Sequence, residues 1–251
     1  MKPEPESWIA ADWPAAGNIR AGITTRKGGV SSGNFASFNL ANHVCDDKDN
    51  VRENRKQLVK LLQLPTEPYW LQQVHGNRIL KQNEDDPDRN ADGCYTNQPA
   101  QVCVVMTADC LPILLCDKKG EEIAAIHVGW RGFSRNIVYQ ALNNFKAPPE
   151  ELLAWMGPCI SPDHYEIDKV VRDACLQIAP TATTAFTASR PGHWFADLKQ
   201  LVSFQLTSEG IQQIYMTDHC TYQDDLLFYS YRRDGNCGRM ATMIWMDNFP
   251  V

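Results

Sequence analysis

Three side chains able to hold a metal stand where apolar runs give way to turns: His75 before Gly76, Cys110 before Leu111 and Pro112, and His127 before Val128 and Gly129. Two imidazoles and a thiolate leave one coordination position open, which is the ligand pattern of a catalytic zinc site and not of a closed structural one. Their separations along the chain match no local zinc motif. They can act together only if the fold converges them. Two core histidines bonded to backbone and an inert buried cysteine would read the same way.

Other residues could do chemistry beside them. Gly22 to Gly33 reads as a short strand running into a glycine-rich loop, either an anion-binding loop or an ordinary surface turn. Arg26 in that loop and Arg131, at a turn opening a helix, are the candidate phosphate-binding residues, because a guanidinium and a helix N-terminus both favour an anion. Pairing with a surface carboxylate is the alternative for each. Asp109 either orients a ligand histidine or caps a turn. Arg232, Arg233 and Arg239 either face a phosphate or form structural ion pairs, and Cys159 is either a reactive thiol or a buried structural cysteine, the structural reading coming first for each, while His43, His193 and His219 show no convergent partner. His164-Tyr165-Glu166 has the H-x-E form of zinc deaminases without their downstream P-C-x-x-C, so that signature is rejected. The lack of H-E-x-x-H and of G-x-S-x-G disfavours a zincin protease or an α/β-hydrolase.

Positioning these residues falls to a chain of 251 residues, 43% hydrophobic and 22% charged, enough for one compact unit without repeats or low-complexity linkers. The net charge of −6 lacks the basic excess that nucleic-acid binding needs. The longest apolar runs fall well short of the roughly 20 residues that cross a membrane. Met1 to Pro14, with Lys2, Glu4, Glu6 and Asp12, has no apolar block of signal-peptide length. Nine cysteines, an odd number with no C-x-x-C pair, fit a reducing cytoplasm.

Periodicity predicts helices over 47–64, 134–145, 169–178 and 197–209, with Pro65 ending the first. It predicts strands over 68–77, delivering His75 to a turn, and over 101–107, 153–156, 211–215 and 241–246. Residues 111–116 and 122–128 read as a hairpin through Asp117-Lys118-Lys119-Gly120. Strands and helices interleave without regular βαβ repetition. That favours an α+β fold, a mixed β-sheet sandwich flanked by helices in a single domain, over a doubly wound sheet.

Thr25 to Ser31, Gln73-Val74-His75-Gly76, Ala91-Asp92-Gly93, Thr107 to Pro112, His127 to Gly132, Gly157 to Ile160 and Tyr231 to Gly235 together resemble, in order and over almost the whole chain, the laccase-domain proteins. These are also called the YfiH or PgeF family, described as purine nucleoside phosphorylases and as polyphenol oxidases. The resemblance implies that His75, Cys110 and His127 are the catalytic metal ligands, with zinc (Zn2+) the usual ion and copper (Cu2+) where a laccase-like activity is claimed. It implies a fold similar to the catalytic domain of a cysteine-dependent toxin deamidase. On that pattern Cys110 would be a metal-free nucleophile and His127 its base, acting on an amide. It further implies phosphorolysis of adenosine, inosine and 5′-methylthioadenosine, so that the partners are a nucleoside and phosphate, with adenosine deamination as a second reaction. Bacterial members are also implicated in editing peptidoglycan precursors in which L-serine has replaced L-alanine. A multicopper oxidase would need more histidines than the six present.

Overall fold

The apolar runs in the middle of the sequence have no polar face, so as strands they must be covered on both sides. The computed structural model, which describes residues 6–82 and 87–247, covers them with two stacked sheets and with helices outside. Lys2 and Glu4 of the opening segment lie outside the described residues. A four-stranded antiparallel sheet runs in the order β1 (Trp8–Ala10), β2 (Ile19–Thr24), β13 (Met240–Met246), β5 (Val102–Thr107). A mixed sheet runs β12 (Gln213–Met216), β8 (Leu152–Met156), β6 (Leu111–Asp117), β7 (Ile123–Val128), β4 (Gly93–Thr96), β3 (Ile79–Lys81). It is parallel only in its two outermost pairs. A small sheet of β10 (Phe186–Ala188), β11 (His193–Ala196) and β9 (Glu166–Asp168) completes the strands. The helices are α1 (Lys48–Leu62), α2 (Trp130–Ser134), α3 (Ile137–Leu142), α4 (Lys169–Ile178), α5 (Leu198–Ser208) and α6 (Tyr231–Asp234).

Side chains alternate along a strand, so each central strand feeds two cores. Leu114 and Cys116 of β6 and Ala125 of β7 meet Val105 of β5 and Ile244 of β13 between the sheets. Ile113 and Leu115 turn the other way, onto Ile137 and Ala141 of α3 and Leu201 and Leu206 of α5. On the far face of the smaller sheet, Val104, Met243 and Trp245 pack with Phe38, Leu40 and Leu58 of α1. The fold is therefore α+β, a sandwich flanked by helices. Among the described residues no helix is long and apolar enough to cross a membrane, and all nine cysteines are free.

Segment 68–77 is not the strand its sequence predicts. Its one ladder contact is an isolated bridge between Gln72 and Asn90. The Gln73 side chain meets the edge of β5 instead, its Nε2 donating to the Met106 carbonyl at 2.8 Å and its Oε1 accepting from the Met106 N–H at 2.7 Å. A side-chain amide thus replaces the backbone ladder and leaves residues 74–76 to turn. The predicted helix over 134–145 is two helices. The break falls at Asn136, which takes a left-handed φ of 65°, a conformation asparagine tolerates better than most residues. Its side-chain oxygen accepts from Gln205 of α5. α1 stops at Leu62, ahead of Pro65, because Gln63 turns left-handed.

The glycine-rich loop after β2 is fastened to α1 through Asn54, which is fully buried. Its Nδ2 donates to Ser31 Oγ, the Ser37 carbonyl and the Asn39 carbonyl at 3.0, 3.2 and 2.9 Å, and its Oδ1 accepts from Val30 N at 2.8 Å. Asn54→Ala strands those groups inside the protein. It should cost about 1–3 kcal/mol of stability, read as a lower urea midpoint at unchanged slope.

Candidate metal centre

His75, Cys110 and His127 arrive at one end of the six-stranded sheet by separate routes. Cys110 directly precedes β6, whose antiparallel pairing with β7 sets Pro112 opposite His127. His75 follows the Gln73 clamp. One ligand atom from each residue lies within 4.8 Å of the other two. Cys110 Sγ is 4.0 Å from His75 Nε2, and the two imidazoles meet edge to face with centroids 4.7 Å apart. His127 is buried, Cys110 half-buried and His75 exposed, so the cluster is open on one side.

Asp92, fully buried just before β4, sets two of these three residues. Its Oδ1 lies 2.8 Å from His127 Nδ1 and accepts from His75 N at 2.9 Å. Its Oδ2 accepts from Val74 N at 3.2 Å and Gly76 N at 2.6 Å. With Nδ1 committed to the carboxylate, His127 turns Nε2 toward the cluster. The same N–H bonds hold His75 at a left-handed φ of 57°, which few non-glycine residues adopt. Asp109 is also left-handed, at 91°. Its carboxylate caps a turn, accepting from Thr221 Oγ1 and Arg232 N at 2.7 Å each, and so orients no histidine.

Electrostatics follow from the same contacts. Burial works to raise the Asp92 carboxyl, yet the His127 ring and the turn N–H groups bring it below its ordinary value. Burial likewise opposes a Cys110 thiolate, and the facing His127 and His75 outweigh it, drawing the thiol down to about 6. His127 moves oppositely: burial disfavours the imidazolium, but Cys110 and Asp92 lift it to about 9. Cysteine is thereby biased to the thiolate, the form that binds metals and attacks electrophiles.

The donor set fits zinc. At bond lengths of about 2.0–2.1 Å to nitrogen and 2.3 Å to sulfur, donors 4.0 Å apart can share one ion. Asp92 supplies the outer hydrogen bond that metal-binding imidazoles carry. Gly129 keeps the space clear: a Cβ there would stand 3.0 Å from Cys110 Sγ and 3.2 Å from His75 Cδ2.

The cluster lines a cavity of about 440 Å³ whose other walls include Met106, Trp130, Ile160, Tyr165 and Tyr231. Arg131 is in that wall, its guanidinium 4.6 Å from the Trp130 ring. Arg26 is not. It donates to the Ala36 carbonyl at 2.9 Å and the Asp225 carbonyl at 3.0 Å and lies over Tyr229, packing the glycine-rich loop. His43, which shows no convergent partner in the sequence, and Arg232 and Arg239, read there as structural ahead of phosphate-facing, also line the cavity. Burial, then Arg239 and Arg55, hold the His43 imidazole below its usual value. Arg233 pairs with Asp234 at 2.7 Å, and burial pushes the Cys159 thiol up to about 12, both as structural residues should. Burial and then the Cys110 sulfur push up the Tyr165 phenol. Of the residues missed, Asp92 left one signal, its place in the Ala91-Asp92-Gly93 motif of the family resemblance; the polar, acid-rich stretch before it gives no other.

A helix-flanked mixed sandwich with a half-open His–Cys–His cluster at the end of one sheet defines a YfiH-like protein with a metal-capable centre. Residues 20–247 match the family described as multi-copper polyphenol oxidoreductase laccase, and the chain belongs to that family. The chain is 42% identical over 239 residues to the Escherichia coli purine nucleoside phosphorylase YfiH, across 95% of this chain and 98% of that protein. It is 40% identical over 245 residues to a Pseudomonas aeruginosa purine nucleoside phosphorylase, across 96% and 99%. A Neisseria meningitidis crystal structure superposes with a TM-score of 0.92 at 40% identity, covering 96% of this chain and 100% of that one. YlmD from Geobacillus stearothermophilus follows at 0.89 and 30% identity, covering 96% and 97%.

Asp92→Asn should leave a folded protein whose zinc affinity is about 10- to 100-fold weaker, measured by competition with a chromogenic chelator. In the same assay Gly129→Ala should also weaken binding, because its methyl group displaces Cys110 Sγ or the His75 ring.

Proposed function

We propose that this chain is a zinc-dependent purine nucleoside phosphorylase acting on adenosine, inosine and 5′-methylthioadenosine, with His75, Cys110 and His127 as the ligands. The observation that carries the reading is the convergence of those donors in one cavity, in a chain 40–42% identical over nearly its full length to proteins of that name. Zinc bound there supplies Lewis acidity beside the substrate. The chain's own residues bind and orient. Trp130 and Tyr231 offer aromatic surface to a purine. The Arg131 guanidinium, with no hydrogen bond or ion pair to the described residues, is free to take phosphate. Asp92 holds His127 in one tautomer so that only Nε2 faces the cluster. By family resemblance the proposal extends to adenosine deamination and to editing of a peptidoglycan precursor, in the cytoplasm where nine free thiols stay reduced. Copper on the same ligands would account for the oxidase description of the family.

A second reading draws on the order Asp92, His127, Cys110. A carboxylate orienting an imidazole beside a thiolate is also the arrangement of a metal-free cysteine hydrolase acting on an amide. Exhaustive chelation separates the two. Phosphorolysis lost on chelation and regained with zinc supports the first, whereas amide hydrolysis that survives chelation and is abolished by a thiol alkylator supports the second. Under the first reading Cys110→Ala and His127→Ala lose zinc together with more than about 100-fold of phosphate-dependent hypoxanthine release from inosine. Full zinc content and full rate in both variants would sink the ligand assignment.

A further inference from the structure

Tyr165 lines the cavity beside the ligand cluster. Its backbone is held from several directions. Its N–H donates to the Pro162 carbonyl at 3.0 Å, and its carbonyl accepts from Ala196 N at 3.0 Å. Arg232 donates to the carbonyls on either side, His164 at 2.9 Å and Glu166 at 3.5 Å, with its guanidinium 5.5 Å from the Tyr165 ring. The neighbouring His164 ring stacks on Tyr222 with centroids 4.1 Å apart. These restraints fix where the half-buried ring sits, yet the phenol hydroxyl has no hydrogen bond to any described residue. Because Tyr165 lines the cavity and no protein group among the described residues occupies its hydroxyl, that donor is available to a molecule bound there.

We propose that Tyr165 contacts the substrate, its hydroxyl donating a hydrogen bond to purine N7 of a nucleoside bound beside the ligand cluster. This inference rests on the phosphorolysis reading. In that reaction an oxygen of hydrogen phosphate bonds to C1′ while the C1′–N9 bond breaks. The electron pair passes into the purine, and the phosphate proton ends on the purine. Tyr165 keeps its own proton and only shares it. N7 belongs to the ring that loses the bond at N9, so negative charge collects there as the sugar departs. A donor fixed at that atom binds inosine in the ground state and binds the transition state more strongly still, so the larger part of its effect belongs in kcat and a smaller part in inosine affinity.

Tyr165→Phe keeps the ring and removes the hydroxyl. The test compares it with the zinc-loaded wild type on inosine and on 7-methylinosine, whose N7 has no lone pair to accept and whose base departs uncharged. Zinc content should be unchanged, kcat for inosine should fall about 100-fold, and 7-methylinosine turnover should match wild type. Calorimetric titration with inosine in the absence of phosphate reads the same contact without turnover. If the wild type binds inosine but does not phosphorolyse it, the phosphorolysis reading fails, and weaker inosine binding by Tyr165→Phe would still support the contact. Equal losses on both nucleosides, no loss on either, unchanged inosine binding in a protein that does not phosphorolyse, or a wild type that binds no inosine would each overturn it.

Discussion

The two oxygens of Asp92 join the turn carrying His75 to the ring of His127, and the rest of the centre is built around that junction. A fully buried carboxylate is costly unless paired, and here three N–H groups and an imidazole meet it. The arrangement works in both directions. The N–H groups can all point at one acceptor only because His75 is left-handed, and His75 stays left-handed because the acceptor is there. Asp92 is itself registered against the histidine it orients, since its carbonyl accepts from His127 N at 2.7 Å. The β4–β7 ladder continues from that bond, with Gly93 opposite Ile126. A slip of one residue would turn His127 to the opposite face of the sheet.

Precision at the cluster therefore derives from the sandwich behind it. Cys110 and His127 are delivered by adjacent strands whose next residues, Leu111 and Val128, are closed into the core. Ligands at the ends of packed strands move less than ligands on free loops. The opposite wall has another origin. β13 inserts between β2 and β5, and that pairing returns the preceding segment to the mouth of the cavity, bringing Tyr231, Arg232 and Arg239 with it. Asp109 ties the two halves together, because the residue before the ligand cysteine accepts from the backbone of Arg232.

Much of the fold was legible where the pattern was long and unambiguous. α4 spans the residues predicted for it, α1 and α5 end within two residues of their predicted limits, and the β6–β7 hairpin and β13 lie where the apolar runs place them. Shorter strands such as β1, β3, β4 and β9 to β11 have too few residues to show a period, and they exist because of their neighbours. Segment 68–77 looked like a strand since its composition suits one, but a side-chain amide took the place of its ladder. Asn136 broke a helix whose apolar spacing ran straight through it.

The sequence by itself determined the inventory: which runs must be buried on both faces, and that two histidines and a cysteine stand where apolar runs meet a glycine or a proline. Family resemblance added their grouping. Only the tertiary structure decided which polar groups meet. Arg26 and Arg131 look alike on paper, each a guanidinium near glycines, yet one is occupied by two carbonyls in a packed loop and the other faces the cavity. His43 and Asp92 acquired their places through contacts across long stretches of chain, and no local spacing encodes those. The reason is physical: local periodicity reports which face of an element avoids water, whereas the partner of a buried charge is chosen by strand register and chain return.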